Sequence, residues 1–260
     1  MPSACPSCGA GTLAPIGRGT QRLEAEIADF FPKARIARLD SDMAASQKKR
    51  HRIFEGMRSG RIDVLVGTQM VTKGHDFPNV TLVGVVSADQ SLHLPDFRAA
   101  ERTFQIITQV AGRAGRAEKA GRVIIQTYEP GHPSLEFSCR HDFDAFAAAE
   151  LASRRALRYP PFSRLANVRL SSLDRSLVEG AAQRAAEIIR GSGGAEGLAI
   201  LGPAPAPLEK LRGRFRHQIL IKAPDAQSLS RLLGTARAEL GKILPRRVRL
   251  SIDVDPTNLL

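Results

Sequence analysis

The chain has 260 residues, and its 43% hydrophobic and 25% charged content is ordinary for a soluble globular protein of about two domains. No stretch reaches the roughly 18 consecutive apolar residues that cross a bilayer, and the N-terminus lacks the layout of a signal peptide, so we expect a cytoplasmic protein. Lys and Arg number 38 against 26 Asp and Glu, with 19 basic and 14 acidic residues in 1–140 and 19 and 12 in 141–260. Two basic halves favour a polyanionic partner, although a high arginine content alone gives the same balance.

The first part of the chain alternates helices and strands. Apolar residues at helical spacing predict one helix around residues 23–31 and another around residues 53–57 that ends near Gly60. Short apolar runs predict strands at residues 34–39, 63–67, 80–86 and 123–126. This alternation predicts a parallel sheet covered by helices on both faces, which we assign to residues 20–140. Ligands of such sheets bind at the carboxyl ends of the strands.

The pattern changes near residue 140. Residues 142–157 predict a helix rich in Ala and Glu, stopped by Tyr159-Pro160-Pro161, and we assign residues 141–163 as a linker helix. Residues 164–260 then predict the order strand, helix, strand, strand, helix, strand, at residues 165–171, 177–190, 199–201, 217–223, 226–240 and 248–254. This order is typical of a smaller, ferredoxin-like α+β domain. The proline-rich residues 202–207 are predicted to form a stiff connector.

The three cysteines are too few for a disulfide framework. Two of them, Cys5 and Cys8, form a CxxC pair, which indicates metal or redox chemistry. A redox role is disfavoured because the pair does not begin a helix of a thioredoxin-like β-α-β unit. A tetrahedral zinc ion needs four ligands, and Cys139 and His141 lie far along the chain with no matching motif. Cys139 is expected to be a buried small hydrophobic residue.

The string Gln109-Val110-Ala111-Gly112-Arg113-Ala114-Gly115-Arg116 is the strongest local signal. Arg113 and Arg116 share a helical face or extend from a turn, and the glycines beside them allow a partner to approach the backbone closely. Guanidinium groups suit a transferring phosphoryl group because they bond its oxygens in a bidentate way and stay protonated. The alternative is a solvated basic helix end.

A polar loop, residues 67–78, follows the strand predicted at residues 63–67. It lies at the carboxyl end of that strand, where ligands of such sheets bind. Thr68 and Gln69 offer uncharged donors for a sugar-phosphate backbone, and Asp76 can accept a hydrogen bond from a ribose hydroxyl. The alternative is an ordinary connecting loop with helix-capping residues.

Four basic residues near residue 213 alternate with other residues: Lys210, Arg212, Arg214 and Arg216. In an extended segment the four charges share one face and Phe215 lies on the other. We interpret this pattern as a phosphate-contacting surface. A second basic cluster, residues 48–52, is interpreted as a solvated charged face.

The loop at residues 67–78 and the string at residues 109–116 together resemble motifs V and VI of superfamily 2 helicases, and residues 18–21 resemble the motif that opens the same lobe. Longer strings resemble the PriA family (primosomal protein N′), and the resemblance covers essentially the whole chain. These strings are residues 5–9, 67–77, 88–102, 109–116, 154–162 and 201–207.

The resemblance implies an ATP-driven 3′-to-5′ DNA helicase that recognises stalled forks and starts primosome reassembly. It implies a RecA-like second helicase lobe at residues 20–140, and DNA, single-strand-binding protein and other primosome proteins as partners, with no membrane. Arg113 and Arg116 would face ATP and Mg²⁺, with Arg116 as the arginine finger. The other implied positions are Gly74, Asp76 and Gln109 toward ATP, and Thr68 and Gln69 toward the DNA strand.

The departures from the family pattern limit what we expect of this chain. Its sequence contains neither a phosphate-cradling GxxxxGK(S/T) loop nor an acidic Mg²⁺ motif, so we predict no ATP hydrolysis by the chain alone. The family carries a cluster of CxxC pairs that binds two zinc ions, of which residues 1–19 resemble a remnant with Cys5 and Cys8. We therefore expect the C-terminal portion of a helicase. The alternative is a free-standing, non-enzymatic DNA-binding or primosome-interaction module.

Overall fold

A computed structural model describes residues 8, 19–40, 47–68, 77, 79–112, 121–192 and 196–259. The described residues form two compact units. The first unit contains those up to Leu92 together with Arg102–Asp142, and the second combines His93–Glu101 with those from Phe143 onward. Among the helices in this part of the chain, none is long and apolar enough to cross a membrane.

The first unit pairs short parallel strands with helices, as predicted for an α/β fold. Strand β1 pairs in parallel with β2, and β3 pairs in parallel with β4. Within the described ranges these are two separate two-stranded sheets rather than one continuous ladder. The elements are α1 (Thr20–Phe30), β1 (Ile36–Leu39), α2 (Gln47–Arg58), β2 (Val64–Gly67), β3 (Leu82–Val85), α3 (Asp89–Leu92), α4 (Ala99–Ala111), β4 (Arg122–Ile125) and α5 (Pro133–Cys139).

Three of these helices, α3, α4 and α5, were not predicted from the sequence. Helix α4 nevertheless carries a helical signal, because Phe104, Ile107 and Val110 recur three residues apart and are all buried. Ile107 packs in one apolar cluster with Ala88 and Leu135. The cluster buries one face of α4 and leaves polar residues on its other face.

The second unit has one antiparallel sheet with two helices packed on it. Its strands lie in the order β6-β7-β5-β8, and every neighbouring pair is antiparallel. The sequence prediction for this half gave the correct order of strands and helices. The elements are α6 (Phe143–Ala156), β5 (Arg164–Ser172), α7 (Arg175–Gly191), β6 (Ala199–Leu211), β7 (Arg214–Ala223), α8 (Ala226–Ile243) and β8 (Arg249–Val254).

Helices α7 and α8 cover one face of this sheet. Alternate residues of the central strands, such as Val168 on β5 and Ile219 on β7, are fully buried in a core that also contains Ala182 and Ala185 of α7. The alanines of α7 allow the helix to approach the sheet closely. Both helices begin at aspartates, Asp174 and Asp225, whose carboxylates accept backbone N–H bonds. The other face of the sheet, which we call the open face, carries the residues between the core positions.

The proline-rich residues 202–207 were predicted to be a connector, and this prediction was wrong. They belong to β6, which continues from Ala199 to Leu211 along the edge of the sheet. An edge strand tolerates prolines because one of its sides needs no ladder hydrogen bonds. The pairing with β7 shifts register twice, between Leu201 and Ala204 and between Pro205 and Lys210, where the proline-rich segment interrupts the ladder.

Candidate nucleic-acid interface

The predicted basic surface near residue 213 folds as a hairpin. Leu211 pairs with Arg214 across a two-residue turn, in which both Arg212 (φ 49°) and Gly213 (φ 79°) have positive φ. Two central residues with positive φ are the requirement of the hairpin turn whose twist matches that of its strands, and glycine meets it without steric cost. The segment is therefore not one continuous strand.

This turn overturns the prediction that four charges share one face. In a hairpin, cross-strand partners share a face, so Lys210 lies with Phe215 while Arg214 and Arg216 lie on the opposite, open face. The Lys210 Nζ is 4.8 Å from the centroid of the Phe215 ring, which itself packs against the helix-covered core. Arg212 is exposed at the tip of the turn.

Arg214 has a structural role on the open face. One of its terminal nitrogens, Nη2, donates to the carbonyl of Ser171 at 3.0 Å and to the carbonyl of Arg247 at 3.3 Å. These bonds tie the turn end of the hairpin to β5 and to the residues before β8. Arg214 is therefore largely committed to backbone contacts, whereas Lys210 and Arg212 remain exposed to solvent.

Arg216 is the most buried of the four basic residues, with 6% of its surface exposed. Within the described part of the chain its side chain makes neither a hydrogen bond nor an ion pair, and Arg169 is the charged group that acts on it. Burial, and secondarily the charge of Arg169, lowers the pKa of Arg216. The sequence reasoning missed Arg169. Its signal was the alternation of polar Asn167, Arg169 and Ser171 with apolar residues along β5.

Of the residues predicted to face ATP and the translocating DNA strand, the structure describes Thr68 and Gln109, both in the first unit. Thr68 is exposed directly after β2, at the strand's carboxyl end as predicted, and Gln109 is exposed near the end of α4. The remaining predicted positions lie outside the described residues, and their roles stay predictions. They are Gln69, Gly74, Asp76, Arg113 and Arg116.

The cysteines provide no complete zinc site in the described residues. Cys8 is an exposed free thiol, and Cys5 lies outside the described ranges. Cys139 is also exposed, at the end of α5, and not buried as expected. No group of three or more His, Cys, Asp or Glu side chains able to hold a metal occurs among the residues that the structure describes. The described cysteines, Cys8 and Cys139, do not supply the four tetrahedral ligands that zinc requires.

A short segment between α3 and α4 docks within the second unit. The Phe97 ring stacks on the Tyr159 ring, with centroids 5.0 Å apart and planes 4° from parallel. The Lys222 Nζ lies 3.4 Å from the Tyr159 centroid and donates to the carbonyl of Leu157 at 2.8 Å. Burial, followed by the charge of Asp96, raises the pKa of the Tyr159 hydroxyl. The ring contact anchors the segment at Phe97, just before α4.

Arg154 holds the first turn of α4, directly after this segment. Its guanidinium donates to Glu101 at 2.7 Å and to Glu150 at 2.7 Å, and it lies 5.1 Å from the centroid of the Phe97 ring. Glu101 is already inside α4, the helix whose last residue, Ala111, precedes Arg113 by two positions. Within the second unit, Arg154 therefore holds Glu101 in the first turn of α4.

Each half of the chain is similar to a known protein family. The family "Helicase conserved C-terminal domain" matches residues 17–118, and the family "Primosomal protein N C-terminal domain" matches residues 155–257. Three proteins called replication restart protein PriA align with nearly the whole chain. That of Bacillus subtilis is 42% identical over 257 residues, covering 98% of this chain and 32% of its own length. Those of Haemophilus influenzae and Synechocystis are each 40% identical, covering 100% of this chain and 35% and 31% of their own lengths. The chain spans about a third of these relatives.

Proposed function

Because the chain belongs to the PriA family of replication restart proteins, we propose that it is the C-terminal part of an ATP-dependent 3′-to-5′ DNA helicase. Such a helicase binds stalled replication forks and initiates primosome reassembly. The observation that carries the proposal is the similarity of the whole chain to these proteins, through both family matches. DNA, single-strand-binding protein and other primosome proteins are the proposed partners.

The two units differ in fold, and we propose a different role for each. We propose that the first is the second RecA-like lobe of the motor, which its parallel strand pairs and flanking helices support. We propose that the second is a ferredoxin-like domain. Support comes from its strand order, in which β7 lies between β5 and β6, the two strands joined by α7.

ATP with Mg²⁺ is the proposed cofactor of the complete motor. Arg113 and Arg116 would bond the phosphate oxygens, with Arg116 as the arginine finger, and Gly74, Asp76 and Gln109 would line the same cleft. An arginine finger stabilises charge on a phosphoryl group that another element must hold. The 260-residue sequence lacks the phosphate-cradling loop and the acidic Mg²⁺ motif, so we expect no hydrolysis by this chain alone. DNA-stimulated phosphate release from the purified chain would overturn this expectation.

The proposal is tested by measuring whether the chain alone binds DNA. The net charge of +12 supports it, as do the exposed Lys210 and Arg212 at the hairpin. The experiment is fluorescence anisotropy of a labelled forked duplex titrated with the chain at several NaCl concentrations. Because each phosphate contact releases counterions, the logarithm of the association constant should fall with the logarithm of salt by about 0.9 for each contact. Failure to bind the fork at low salt would refute DNA binding by this chain.

A further inference from the structure

Three arginines meet on the open face of the sheet in the second unit. Ser171 on β5 pairs with Arg216 on β7 and with Arg249 on β8, so all three residues point to the same face. Arg169 lies two residues before Ser171 on β5 and is the diagonal neighbour of both arginines. Diagonal neighbours on a sheet are about 7–8 Å apart, within the reach of long side chains. Helices α7 and α8 pack on the opposite face and do not use these positions.

This cluster lacks the anionic partners that other arginines of the same unit have. Arg164 pairs with Asp255 at 2.6 Å, and Arg154 pairs with two glutamates. By contrast, Arg216 is 6% exposed and its side chain makes no hydrogen bond or ion pair within the described ranges, and the fully buried Nε of Arg169 has no hydrogen-bond partner there.

Burying such unpaired cations beside each other is costly. A charge taken out of water loses hydration, and a like charge nearby adds repulsion. Both effects act on Arg216, whose pKa is lowered by burial and by the charge of Arg169. An anion bound between the two guanidinium groups removes the repulsion and supplies acceptors for the unused donors. Asp253, a carboxylate on the same face, is exposed and pairs in register with Asn167, two residues before Arg169 on β5.

We propose that Arg169 and Arg216, flanked by Arg249, form a binding site for a phosphodiester group of DNA on the open face of the sheet. The inference rests on the proposed function and locates the binding on residues that the sequence pattern did not select. Guanidinium groups bond phosphate oxygens in pairs and are less strongly hydrated than ammonium groups, so arginine suits a partly buried phosphate site. An acidic peptide would offer similar oxygens. DNA is favoured because residues 141–260 are basic as a whole, and the exposed Arg212 and Arg249 extend the positive surface that a polyanion follows.

The test compares two double variants of the full chain that remove the same charge. Arg169→Met with Arg216→Met removes the cluster while keeping apolar side-chain volume, a change that buried positions often tolerate without loss of stability. The control, Arg184→Met with Arg231→Met, removes two exposed arginines from α7 and α8 on the helix side. Far-UV circular dichroism and thermal melting check that both variants fold.

Anisotropy with the labelled fork gives the decisive readout. We expect the cluster variant to bind at least about tenfold more weakly at 100 mM NaCl, with a salt slope smaller by about 1 to 2, and the control to lose no more than about twofold. Equal small losses in both variants, with unchanged slopes, would overturn the site but leave DNA binding intact.

A wild-type chain that does not bind the fork would overturn the site and the proposed function together. A labelled oligoglutamate peptide is the second probe: if the cluster variant loses the peptide but keeps the fork, the ligand is an acidic peptide and the phosphodiester assignment is wrong. If the double variant does not fold, Arg169→Met alone, at the less buried position, is measured with Arg231→Met as its control.

Discussion

Replacing Arg154 tests how the segment before α4 is held within the second unit. The Arg154 side chain is 11% exposed and donates to Glu101 and Glu150, each at 2.7 Å. Arg154→Met removes both charged hydrogen bonds but keeps an apolar side chain against Phe97. The neighbouring Arg155 is a matched control, because it is exposed and its guanidinium contacts only the Phe162 ring, at 4.6 Å, in the described structure.

The expected loss follows from the exposure of each partner. A hydrogen bond to a charged group contributes about 1.5–3 kcal/mol when it is shielded from water. The Glu150 side chain is 15% exposed, so its bond belongs to the lower half of that range, about 1.5–2 kcal/mol. The Glu101 side chain is 37% exposed, and screening by water reduces its bond to about 0.5–1 kcal/mol. Arg154→Met should therefore lower the free energy of unfolding by about 2–3 kcal/mol, and Arg155→Met by about 0.5–1 kcal/mol through its ring contact.

Urea unfolding followed by far-UV circular dichroism measures both variants, since the chain has no tryptophan. The Glu101→Gln variant, alone and combined with Arg154→Met, isolates the pair: because the arginine is already absent in the combination, the two losses should not add. If Arg154→Met and Arg155→Met lower the free energy of unfolding equally, the ion-pair network does not stabilise the second unit and the reasoning fails.

Three further predictions concern other parts of the chain. The Arg35 guanidinium, through its hydrogen bond, lowers the pKa of Asp63 to about 2, so the pair's contribution to stability is present above pH 3.8 and is lost as the pH falls toward 2. In a carboxyl NMR titration Arg35→Gln should return the Asp63 pKa toward 3.8, and an unchanged midpoint would contradict the assignment. Gly202→Ala should destabilise the chain by about 2–3 kcal/mol in chemical unfolding, because φ is +100° and the added Cβ meets a backbone carbonyl oxygen at 2.9 Å. Gly213→Ala, with open space around it, should cost only about 1 kcal/mol, and equal losses would refute the steric argument. Titration with Zn²⁺ should show no tight stoichiometric binding, whereas binding abolished by Cys8→Ser would contradict an incomplete site.

Hydrophobic periodicity was sufficient to predict the order of strands and helices in residues 164–260. The predicted strand at residues 165–171 is β5 (Arg164–Ser172), and the predicted helix at residues 226–240 is α8 (Ala226–Ile243), because one face of each is buried in a single core. Strand β6 was cut short in the prediction because prolines normally exclude a strand, and only its position at the sheet edge makes them acceptable.

The candidate DNA-binding site was less accessible to sequence reasoning. Counting alternate residues placed four charges on one face, but the turn at Arg212 and Gly213 reverses the chain, so cross-strand pairing decides the faces. Arg169 and Arg216 are far apart in the sequence, and they lie close together only because β5 pairs with β7. The docking of Phe97 on Tyr159 joins distant segments in the same way. Such contacts follow from topology, which local patterns do not encode.

The most direct test of the central claim follows DNA binding and ATP turnover in one sample. The purified chain is mixed with ATP, Mg²⁺ and a labelled forked duplex, anisotropy reports the bound fork, and phosphate release reports hydrolysis. We predict that the fork is bound, more weakly as NaCl rises, and that phosphate is not released above the level of a protein-free sample. Phosphate release stimulated by DNA would contradict the claim that this chain lacks a complete motor, and an unbound fork at low salt would contradict the claim that it binds DNA.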